Sequence, residues 1–428
     1  MKFYFHTLGC KVNQYESQEM RELARKHGYE ITENENEADV FVINSCTVTA
    51  ESDRKSRQQV RHYKRLKPDA VTVLTGCLPQ SFPDMAVNLE EADIVLGNRN
   101  NQMLISAVEQ YLKEHERGIY TCQHKSHESL ISTGISTFDE RTRADLKIED
   151  GCDRFCSYCI IPKARGRVRS KSIEDIKEEV KRLADNGYRE IVLVGINLSA
   201  YGKGTDYDLA DAVIAVAENQ DILRVRLSSL EPDHITEGLI QKLSTCDKLC
   251  PQFHISLQSG CDKILRLMNR YYTASDYFKL CTDLRKQFAN CSITTDIMVG
   301  FPHENEEDFL ETVTFAEKVG FEKIHIFPYS RRKGTKADEM DGQIEKSVKS
   351  RRVSILADHA KKIRSEWLKV QTGKTVNVLT EGKQKDGCFS GYTENYTPVI
   401  FTGHAEVGRI AKVLLTESSD DYCTGKSI

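Results

Sequence analysis

Three cysteines stand close together near the middle of the chain, in the stretch DGCDRFCSYCIIPKARGRVR at residues 150–169. Cys152, Cys156 and Cys159 have the spacing C-x3-C-x2-C. Iron–sulfur clusters are held by cysteine thiolates, and a [4Fe–4S] cluster held by only three of them leaves one iron open. The spacing therefore predicts a [4Fe–4S] cluster that can bind a small molecule at its open iron.

The small molecule that this spacing indicates is S-adenosylmethionine. The aromatic ring of Tyr158, just before the third cysteine, can lie beside the adenine of that cofactor. The alternative is a structural zinc site, which takes four ligands, usually in C-x2-C pairs. No histidine or fourth cysteine stands at a matching distance, although Cys122 or a more distant residue could complete such a site. His124 and His127, in the polar stretch between residues 118 and 143, are interpreted as solvated linker residues rather than ligands.

Strand and helix signals alternate over the first part of the chain. The predicted strands are 2–8, 40–44, 71–75 and 94–96, and Asn13 with Glu16 three residues later predicts the start of the first helix. This alternation predicts a mostly parallel sheet with helices on both faces.

A second set of three cysteines follows the first three of these strands. Cys10, Cys46 and Cys77 occur in the sequences TLGC, INSC and LTGC. Because parallel strands end along one edge of a sheet, where ligands bind, we expect the three thiols to converge and hold a second cluster. The alternative is that each is a small buried hydrophobic residue.

The alternation returns between residues 146 and 367, with predicted strands at 146–148, 190–194, 223–227, 253–257, 292–299 and 323–327. Six βα units are too few for a closed eight-stranded barrel and predict an open partial (β/α) barrel. Its functional loops lie at the carboxyl ends of the strands. At these strand ends we expect cofactor contacts from five residues: Gly195, Asn197, Ser229, Asp296 and Gly300. The alternative is that these residues only form ordinary turns.

The final part of the chain predicts a small antiparallel β-barrel of the kind that binds oligonucleotides, with strands at 375–380, 388–392, 398–402 and 408–415. Tyr392 and Tyr396 could stack on bases, and Lys374 and Arg409 could contact phosphates. Alternatively, the tyrosines pack on the barrel wall.

Two further basic groups are candidates for RNA binding. Arg165 and Arg167 follow the central cysteines, and Arg331 and Arg332 follow the last strand of the partial barrel. We expect all four at the mouth of that barrel, where cations suit a phosphate-bearing substrate. A third basic run, at 54–67, is interpreted mainly as a solvated helix face.

Composition limits the possible functions of the 428 residues. Hydrophobic residues make up 39% and the formal net charge is −4, so the chain can form cores and does not coat nucleic acid through overall basicity. No apolar run approaches the roughly 18 residues of a membrane span, and no signal peptide is recognisable. Fourteen cysteines in such a chain indicate a reducing cytosol, with thiols used as ligands rather than in disulfides.

These motifs together resemble the methylthiotransferases of the radical S-adenosylmethionine superfamily over essentially the whole chain. LGCKVNQYES (8–17), the run at 150–170 and SLQSGCDKILRLMNRYYT (256–273) are most similar to the branch that modifies N6-threonylcarbamoyladenosine beside the tRNA anticodon. The isopentenyladenosine branch usually has glutamine and methionine after the first cysteine, where this chain has Lys11 and Val12. The branch that modifies a ribosomal protein usually has proline and lysine there.

The resemblance implies four segments: an N-terminal methylthiotransferase domain (1–118), a linker (119–143), a radical domain (144–368) and a TRAM RNA-binding domain (369–428). It implies methylthiolation of carbon-2 of the adenine, with two [4Fe–4S] clusters and S-adenosylmethionine as cofactors. The central cluster would generate a 5′-deoxyadenosyl radical, and the N-terminal cluster would hold the inserted sulfur.

The implied partners are the tRNA anticodon loop and a reducing electron donor, without DNA or a membrane. The remaining alternatives are an isopentenyladenosine substrate, a ribosomal-protein substrate, and a non-catalytic iron–sulfur protein that binds RNA.

Overall fold

A computed structural model describes residues 1–125, 128–139 and 141–428. Contacts divide the chain into two compact units. The first unit comprises Met1–Asp139, Glu149–Lys171 and Ser330–Asp338. The second comprises Glu140–Ile148, Ser172–Tyr329 and Glu339–Ile428. The central cysteine loop therefore belongs to the same unit as the N-terminal cysteines.

The N-terminal part of the first unit is a six-stranded sheet in the order β2-β1-β3-β4-β5-β6, with every pair of strands parallel. Its elements in chain order are β1 (Lys2–Thr7), α1 (Lys11–Lys26), β2 (Glu30–Ile31), β3 (Val40–Ser45), α2 (Ala50–Leu66), β4 (Val71–Gly76), α3 (Cys77–Ser81), α4 (Pro83–Val87), β5 (Ile94–Leu96), α5 (Leu104–Glu114) and β6 (Gly118–Tyr120). The predicted parallel sheet is confirmed. Strands β2 and β6 were not predicted, because they are short and contain few apolar residues.

Helices cover both faces of this sheet, as predicted. Alternate residues of each strand point to opposite faces. Val40 and Val42 of β3 pack in a cluster with residues of α1 and α5, whereas Phe41 and Ile43 pack with residues of α2, α3 and α4. The buried strands are therefore apolar on both sides, which explains their continuous hydrophobic runs.

The predicted start of the first helix is wrong by three residues, since the N-cap is Cys10 rather than Asn13. Helix α1 begins at Lys11, and Cys10 occupies the N-cap without a capping side-chain hydrogen bond. Asn13 and Glu16 lie inside the helix and bond to another segment, which is described below.

The central part of the chain contributes elements to both units. In chain order they are β7 (Ala144–Lys147), β8 (Glu149–Asp150), α6 (Ile161–Arg165), β9 (Arg169–Ser170), α7 (Ile173–Asp185), β10 (Glu190–Val194), α8 (Leu209–Ala217), β11 (Arg224–Leu227), β12 (Ser229–Leu230), α9 (Glu237–Leu243), β13 (Gln252–Ile255), α10 (Asp262–Leu267), α11 (Ala274–Gln287), β14 (Ser292–Val299), α12 (Glu306–Val319), β15 (Lys323–Pro328), α13 (Lys336–Glu339) and α14 (Lys346–Gln371). Short 3-10 helices occur at Glu35–Glu37, Asn98–Met103, Leu198–Ala200 and Pro232–His234.

In the second unit, parallel strands form the predicted open partial barrel. One sheet has the order β11-β10-β7 and the next has the order β12-β13-β14-β15. A parallel bridge between Val225 and Leu249 lies between these two sheets. No helix in the part of the chain that the structure describes is long and apolar enough to cross a membrane.

The C-terminal barrel is closed by five strands, in the order β16-β17-β18-β20-β19. They are β16 (Thr375–Lys383), β17 (Phe389–Thr393), β18 (Pro398–Thr402), β19 (Ile410–Ser418) and β20 (Cys423–Ser427). The predicted small antiparallel β-barrel is confirmed: four of its five strand pairs are antiparallel, and only β18 and β20 run parallel. Strand β20 was missed since its sequence, CTGKS, has no hydrophobic alternation.

Residues of the predicted linker bind to the first helix. Glu19 accepts hydrogen bonds from Ser132 Oγ and from the Thr133 amide, at 2.6 and 2.9 Å. His124, predicted to be a solvated linker residue, has a side chain only 9% exposed and lies 3.2 Å from the Ala164 carbonyl oxygen. His127, for which the same prediction was made, lies outside the described residues.

Candidate active site

The three N-terminal cysteines converge, as the parallel sheet requires. Strands β1, β3 and β4 are neighbours, and each leads directly into one of the cysteines. The side-chain oxygen of Asn13 lies 3.7 Å from the Cys10 sulfur and 3.9 Å from the Cys77 sulfur. One amide on α1 therefore lies between two of the thiols.

Cys46 lies against the loop that carries Cys10. Gly9 has a positive φ of 105°, and a Cβ atom there would stand 2.9 Å from the Cβ of Cys46. A side chain at Gly9 would therefore clash with the neighbouring cysteine. Three thiols gathered at one sheet edge fit a cluster with three protein ligands. Among the described residues, no three His, Cys, Asp or Glu side chains are arranged to hold a single metal ion.

The amide of Asn13 also ties the strand ends together. Its nitrogen donates to the carbonyl oxygens of Leu8 and Ser45, both at 2.9 Å. Its oxygen accepts a hydrogen bond from Arg165 Nη2 at 2.6 Å. Asn13 thereby fixes the loops before Cys10 and Cys46 relative to each other.

Arg165 is an almost fully buried cation, with 1% of its side chain exposed. Its guanidinium forms two hydrogen bonds with Glu16, one of them at 2.9 Å, and lies 3.4 Å from Asp150. Both carboxylates are buried, which explains why the arginine is tolerated there. The segment after the central cysteines is thus anchored to the helix that begins at Cys10.

Burial also acts on the thiols themselves. It raises the pKa of Cys77 to about 12, and the positive charge of Arg165 partly opposes this shift. Cysteine binds metals as the thiolate, so cluster binding must release this proton.

A second predicted RNA-binding arginine is also buried in an ion pair. Arg332 Nη1 lies 2.7 Å from Asp53 Oδ2, and Nη2 donates to Thr47 Oγ1 at 2.8 Å. Acidic partners neutralise both Arg165 and Arg332, which disfavours the predicted contact of either residue with RNA. Arg167 and Arg331 are more than half exposed, at 54% and 58%, and stay candidates.

The central cysteines lie in a tight loop between β8 and α6. The amide of Cys152 donates to the Gly166 carbonyl oxygen and the amide of Cys159 donates to the Cys156 carbonyl oxygen, both at 3.0 Å. Cys156 is buried, whereas Cys152, Cys159 and Tyr158 are half-buried. Three thiols in one short loop fit the cluster that the spacing predicts.

The predicted cofactor contacts in the second unit lie in loops and strands of the partial barrel. Gly195 and Asn197 follow β10, and Ser229 opens β12. These two loops are joined by a 2.7 Å hydrogen bond from the Glu231 amide to Ser199 Oγ. Gly300 directly follows β14, and its amide donates to Glu304 at 2.8 Å.

Asp296 lies within β14 and forms part of a polar cluster that sequence analysis did not identify. Its carboxylate lies 3.3 Å from His254 Nε2, and His254 Nδ1 lies 2.8 Å from Thr294 Oγ1. The ring of His325 is 5.7 Å from that of His254. Alternate polar residues on β13, β14 and β15 are the sequence signal that could have located this cluster.

The tyrosines of the C-terminal barrel pack against the partial barrel within the second unit. Tyr392 and Tyr396 stack on each other with ring centroids 4.4 Å apart. The guanidinium carbon of Arg226 lies 4.7 Å from the Tyr396 ring, and that of Arg143 lies 5.1 Å from the same ring. Arginine stacks favourably on aromatic faces.

Backbone hydrogen bonds complete this packing. Arg224 and Arg226 lie on one face of β11 and donate to the Asn377 and Glu394 carbonyl oxygens, at 2.7 and 2.9 Å. Lys374 bonds to Asn290 at 2.8 Å. Tyr392, Tyr396 and Lys374 therefore hold the barrel in place, and their contact with RNA stays a prediction.

Arg409 is the remaining predicted RNA contact of the barrel. Its side chain is exposed, and the residue lies in the loop between β18 and β19. The sequence does not distinguish Arg409 from Lys374, Tyr392 and Tyr396, since all four are polar or aromatic positions near turns.

Three family models match consecutive segments of the chain. Residues 2–97 match the model of the Uncharacterized protein family UPF0004, residues 146–316 match the Radical SAM superfamily and residues 369–428 match the TRAM domain. The fold and the central cysteine loop thus define a radical S-adenosylmethionine enzyme, a class that uses S-adenosylmethionine and a [4Fe–4S] cluster.

Full-length relatives define the family more closely. The chain is 36% identical to the threonylcarbamoyladenosine tRNA methylthiotransferase MtaB of Bacillus subtilis, over 99% of this chain and 96% of the relative. It is 34% identical to the tRNA-2-methylthio-N(6)-dimethylallyladenosine synthase of Syntrophus aciditrophicus, over 97% of this chain and 92% of the relative. The chain belongs to the radical S-adenosylmethionine methylthiotransferase family.

A solved structure supports the fold at much lower sequence identity. The radical S-adenosylmethionine methyltransferase TsrM from Kitasatospora setae aligns with a TM-score of 0.59 and 13% identity, covering 79% of this chain and 77% of that chain.

Proposed function

We propose that this protein methylthiolates carbon-2 of N6-threonylcarbamoyladenosine, next to the anticodon of tRNA, giving 2-methylthio-N6-threonylcarbamoyladenosine. The main support for this proposal is that Cys10, Cys46 and Cys77 converge at one edge of the sheet, in a chain that also has the C-x3-C-x2-C loop. A radical enzyme needs the second triplet only if it does more than generate a radical.

In this proposal each triplet holds one [4Fe–4S] cluster, so that the chain holds two. Cys152, Cys156 and Cys159 would hold the cluster that, when bound, would supply the electron for reductive cleavage of S-adenosylmethionine and so the radical chemistry that an unactivated carbon–hydrogen bond requires. Cys10, Cys46 and Cys77 would hold the second cluster, which would supply the sulfur. A cytoplasmic electron donor and the tRNA anticodon loop complete the proposed set of partners.

The residues of the chain then have separable tasks. Asn13 and Arg165 hold the strand-end loops that present the N-terminal thiols. Gly195, Asn197, Ser229, Asp296 and Gly300 remain the proposed cofactor contacts of the partial barrel. Arg167, Arg331 and Arg409 are the proposed phosphate or carboxylate contacts, since their side chains are exposed.

The threonylcarbamoyl group gives the substrate a carboxylate beside the adenine. An arginine fork can hold a carboxylate through two charge-assisted hydrogen bonds, whereas an apolar isopentenyl group offers none. The isopentenyladenosine substrate and the non-catalytic alternative are not favoured, given Lys11 and Val12 and the relatives described above.

We expect tRNA that already carries N6-threonylcarbamoyladenosine to be methylthiolated, and the same tRNA without that group to react poorly. The test incubates reconstituted enzyme with three tRNAs that are threonylcarbamoylated, isopentenylated or unmodified at the target adenosine. Nucleoside mass spectrometry then identifies the product. Preferential product from the isopentenylated tRNA would move this chain to the other branch.

Arg409→Gln is expected to weaken tRNA binding and to lower the slope of log affinity against log salt concentration by about 1, as loss of one phosphate contact requires. Lys412→Gln, at an exposed lysine of β19, shows whether any cation on the barrel has this effect. Affinity is measured by titration at several salt concentrations. An unchanged slope for Arg409→Gln would remove this residue from the RNA-binding surface.

A further inference from the structure

An open pocket of about 320 Å³ lies beside the central cysteine loop, and all of its lining residues belong to the first unit. Neither of the predicted cluster sites accounts for it. The lining residues are His124, Lys125, Phe155, Pro162, Gly166 and Arg167. Its volume is at the small end of the range for ligand sites, which suits one nucleobase better than a whole cofactor.

The most unusual residue of this pocket is Phe155, which directly precedes Cys156. Its side chain is 44% exposed, although a phenylalanine normally lies in the core. Its φ is +50°, a left-handed conformation that is rare for a bulky residue and persists only where the surrounding structure imposes it. The loop therefore presents an aromatic ring to the pocket at some conformational cost.

Two cationic side chains line the pocket together with this ring. The guanidinium carbon of Arg167 lies 4.6 Å from the ring centroid, and Arg167 also pairs with Asp153 at 3.2 Å. Lys125 adds a second exposed positive charge. The nearby carboxylate of Glu128 pairs with Arg99 at 3.0 Å and accepts a hydrogen bond from the Lys125 backbone amide.

Close packing forms the floor of the pocket. Gly166 has a φ of +71°, and a Cβ atom there would stand 2.7 Å from the His124 ring. The imidazole in turn lies 3.2 Å from the Ala164 carbonyl oxygen. The pocket is thus preorganised around one exposed aromatic ring with cations beside it.

We propose that this pocket binds a nucleotide of the substrate RNA that flanks the modified adenosine. The base stacks on Phe155, and its phosphate is held by Arg167 and Lys125. An aromatic platform with basic neighbours is the arrangement by which proteins hold single-stranded nucleic acid. Because Phe155 adjoins a cluster cysteine, the nucleotide bound there is a close neighbour of the reacting base. This inference rests on the proposed tRNA substrate.

The test measures the affinity of the reconstituted protein for an anticodon stem-loop RNA by fluorescence anisotropy under anaerobic conditions. Phe155→Leu, which keeps an apolar side chain in the loop, is expected to weaken binding about 5- to 150-fold, the range for loss of one stacked base. Phe155→Tyr is expected to bind like the parent protein. Tyr271→Ala, at another exposed aromatic residue, is the matched control and leaves the affinity unchanged.

Abasic substitution in the RNA identifies the stacked nucleotide without altering the protein. One abasic site beside the target adenosine is expected to weaken binding by the same factor, and Phe155→Leu then causes no further loss with that RNA. Additive losses at every abasic position would overturn the proposal, as would equal affinity of the Phe155→Leu variant and the parent protein.

Two other outcomes have distinct meanings. If the parent protein neither binds nor methylthiolates tRNA, the proposed function fails and the pocket proposal fails with it. If Phe155→Leu leaves RNA affinity unchanged but slows reduction by a protein donor and not by dithionite, the ring belongs to the electron-donor surface. That result would overturn the RNA proposal alone.

Discussion

Replacement of Cys10, Cys46 and Cys77 by alanine is expected to abolish methylthiolation and leave reductive cleavage of S-adenosylmethionine measurable. Radical generation needs only the open iron of a cluster held by the central loop, whereas sulfur insertion needs the second site. Because each triplet is gathered by its own backbone elements, the variant is expected to keep about half of the reconstituted iron.

Iron and sulfide analysis, deoxyadenosine release and nucleoside mass spectrometry measure these three quantities separately. The reciprocal variant, with alanine at Cys152, Cys156 and Cys159, is expected to lose deoxyadenosine release and the other half of the iron. Cys122→Ala is the matched control, since this exposed cysteine belongs to neither triplet. Methylthiolated RNA from the N-terminal variant would show that this triplet does not carry the sulfur. Zinc without iron in the anaerobically purified parent protein would contradict both cluster sites.

The second large effect is expected from Arg165→Met. This change removes the Arg165 cation from the buried carboxylates of Glu16 and Asp150, of which Asp150 keeps Arg169 at 3.4 Å. Breaking a buried ion pair by removing one partner costs about 3–5 kcal/mol. It also removes the hydrogen bond that holds the side-chain oxygen of Asn13. We therefore expect local unfolding of α1 and weaker retention of the N-terminal cluster.

Hydrogen exchange followed by mass spectrometry tests this prediction peptide by peptide, which avoids assuming that the whole chain unfolds in one step. Exchange is expected to accelerate in α1 and in residues 149–171. Arg167→Met, two residues away and 54% exposed, is expected to change protection little. A second change at Glu16 to glutamine should restore part of the lost protection, because it removes one uncompensated charge. Equal exchange in the Arg165→Met and Arg167→Met variants would contradict a supporting role for this ion cluster.

Regular backbone rules explain how much of the site could be predicted from sequence. The position of Cys10, Cys46 and Cys77 after apolar strands was sufficient to predict that the three thiols converge, because parallel strands end at one edge of the sheet. The open partial barrel was likewise predictable, from the regular spacing of its strands along the sequence. Both features depend only on local sequence patterns and on the geometry of parallel sheets.

The roles of individual cations and aromatic residues were not predictable on this basis. Arg165 and Arg167 are two residues apart and look equivalent in sequence, yet one is buried with Glu16 and the other is exposed. The difference comes from a carboxylate about 150 residues earlier in the chain, which no local pattern encodes. The same applies to Tyr396, whose partner Arg226 lies on a distant strand.

The buried pairing of Arg165 with Glu16 has a consequence for chimaeric proteins. Grafting the radical domain of one family member onto the N-terminal domain of another, with the junction near residue 144, would join an arginine to a foreign acidic partner. The part of the chain that can be exchanged as one structural unit is instead discontinuous. It comprises the N-terminal sheet together with residues 149–171 and 330–338. Exchanges that move these three segments as one block should preserve the cluster environment, whereas exchanges at the apparent domain boundary should not.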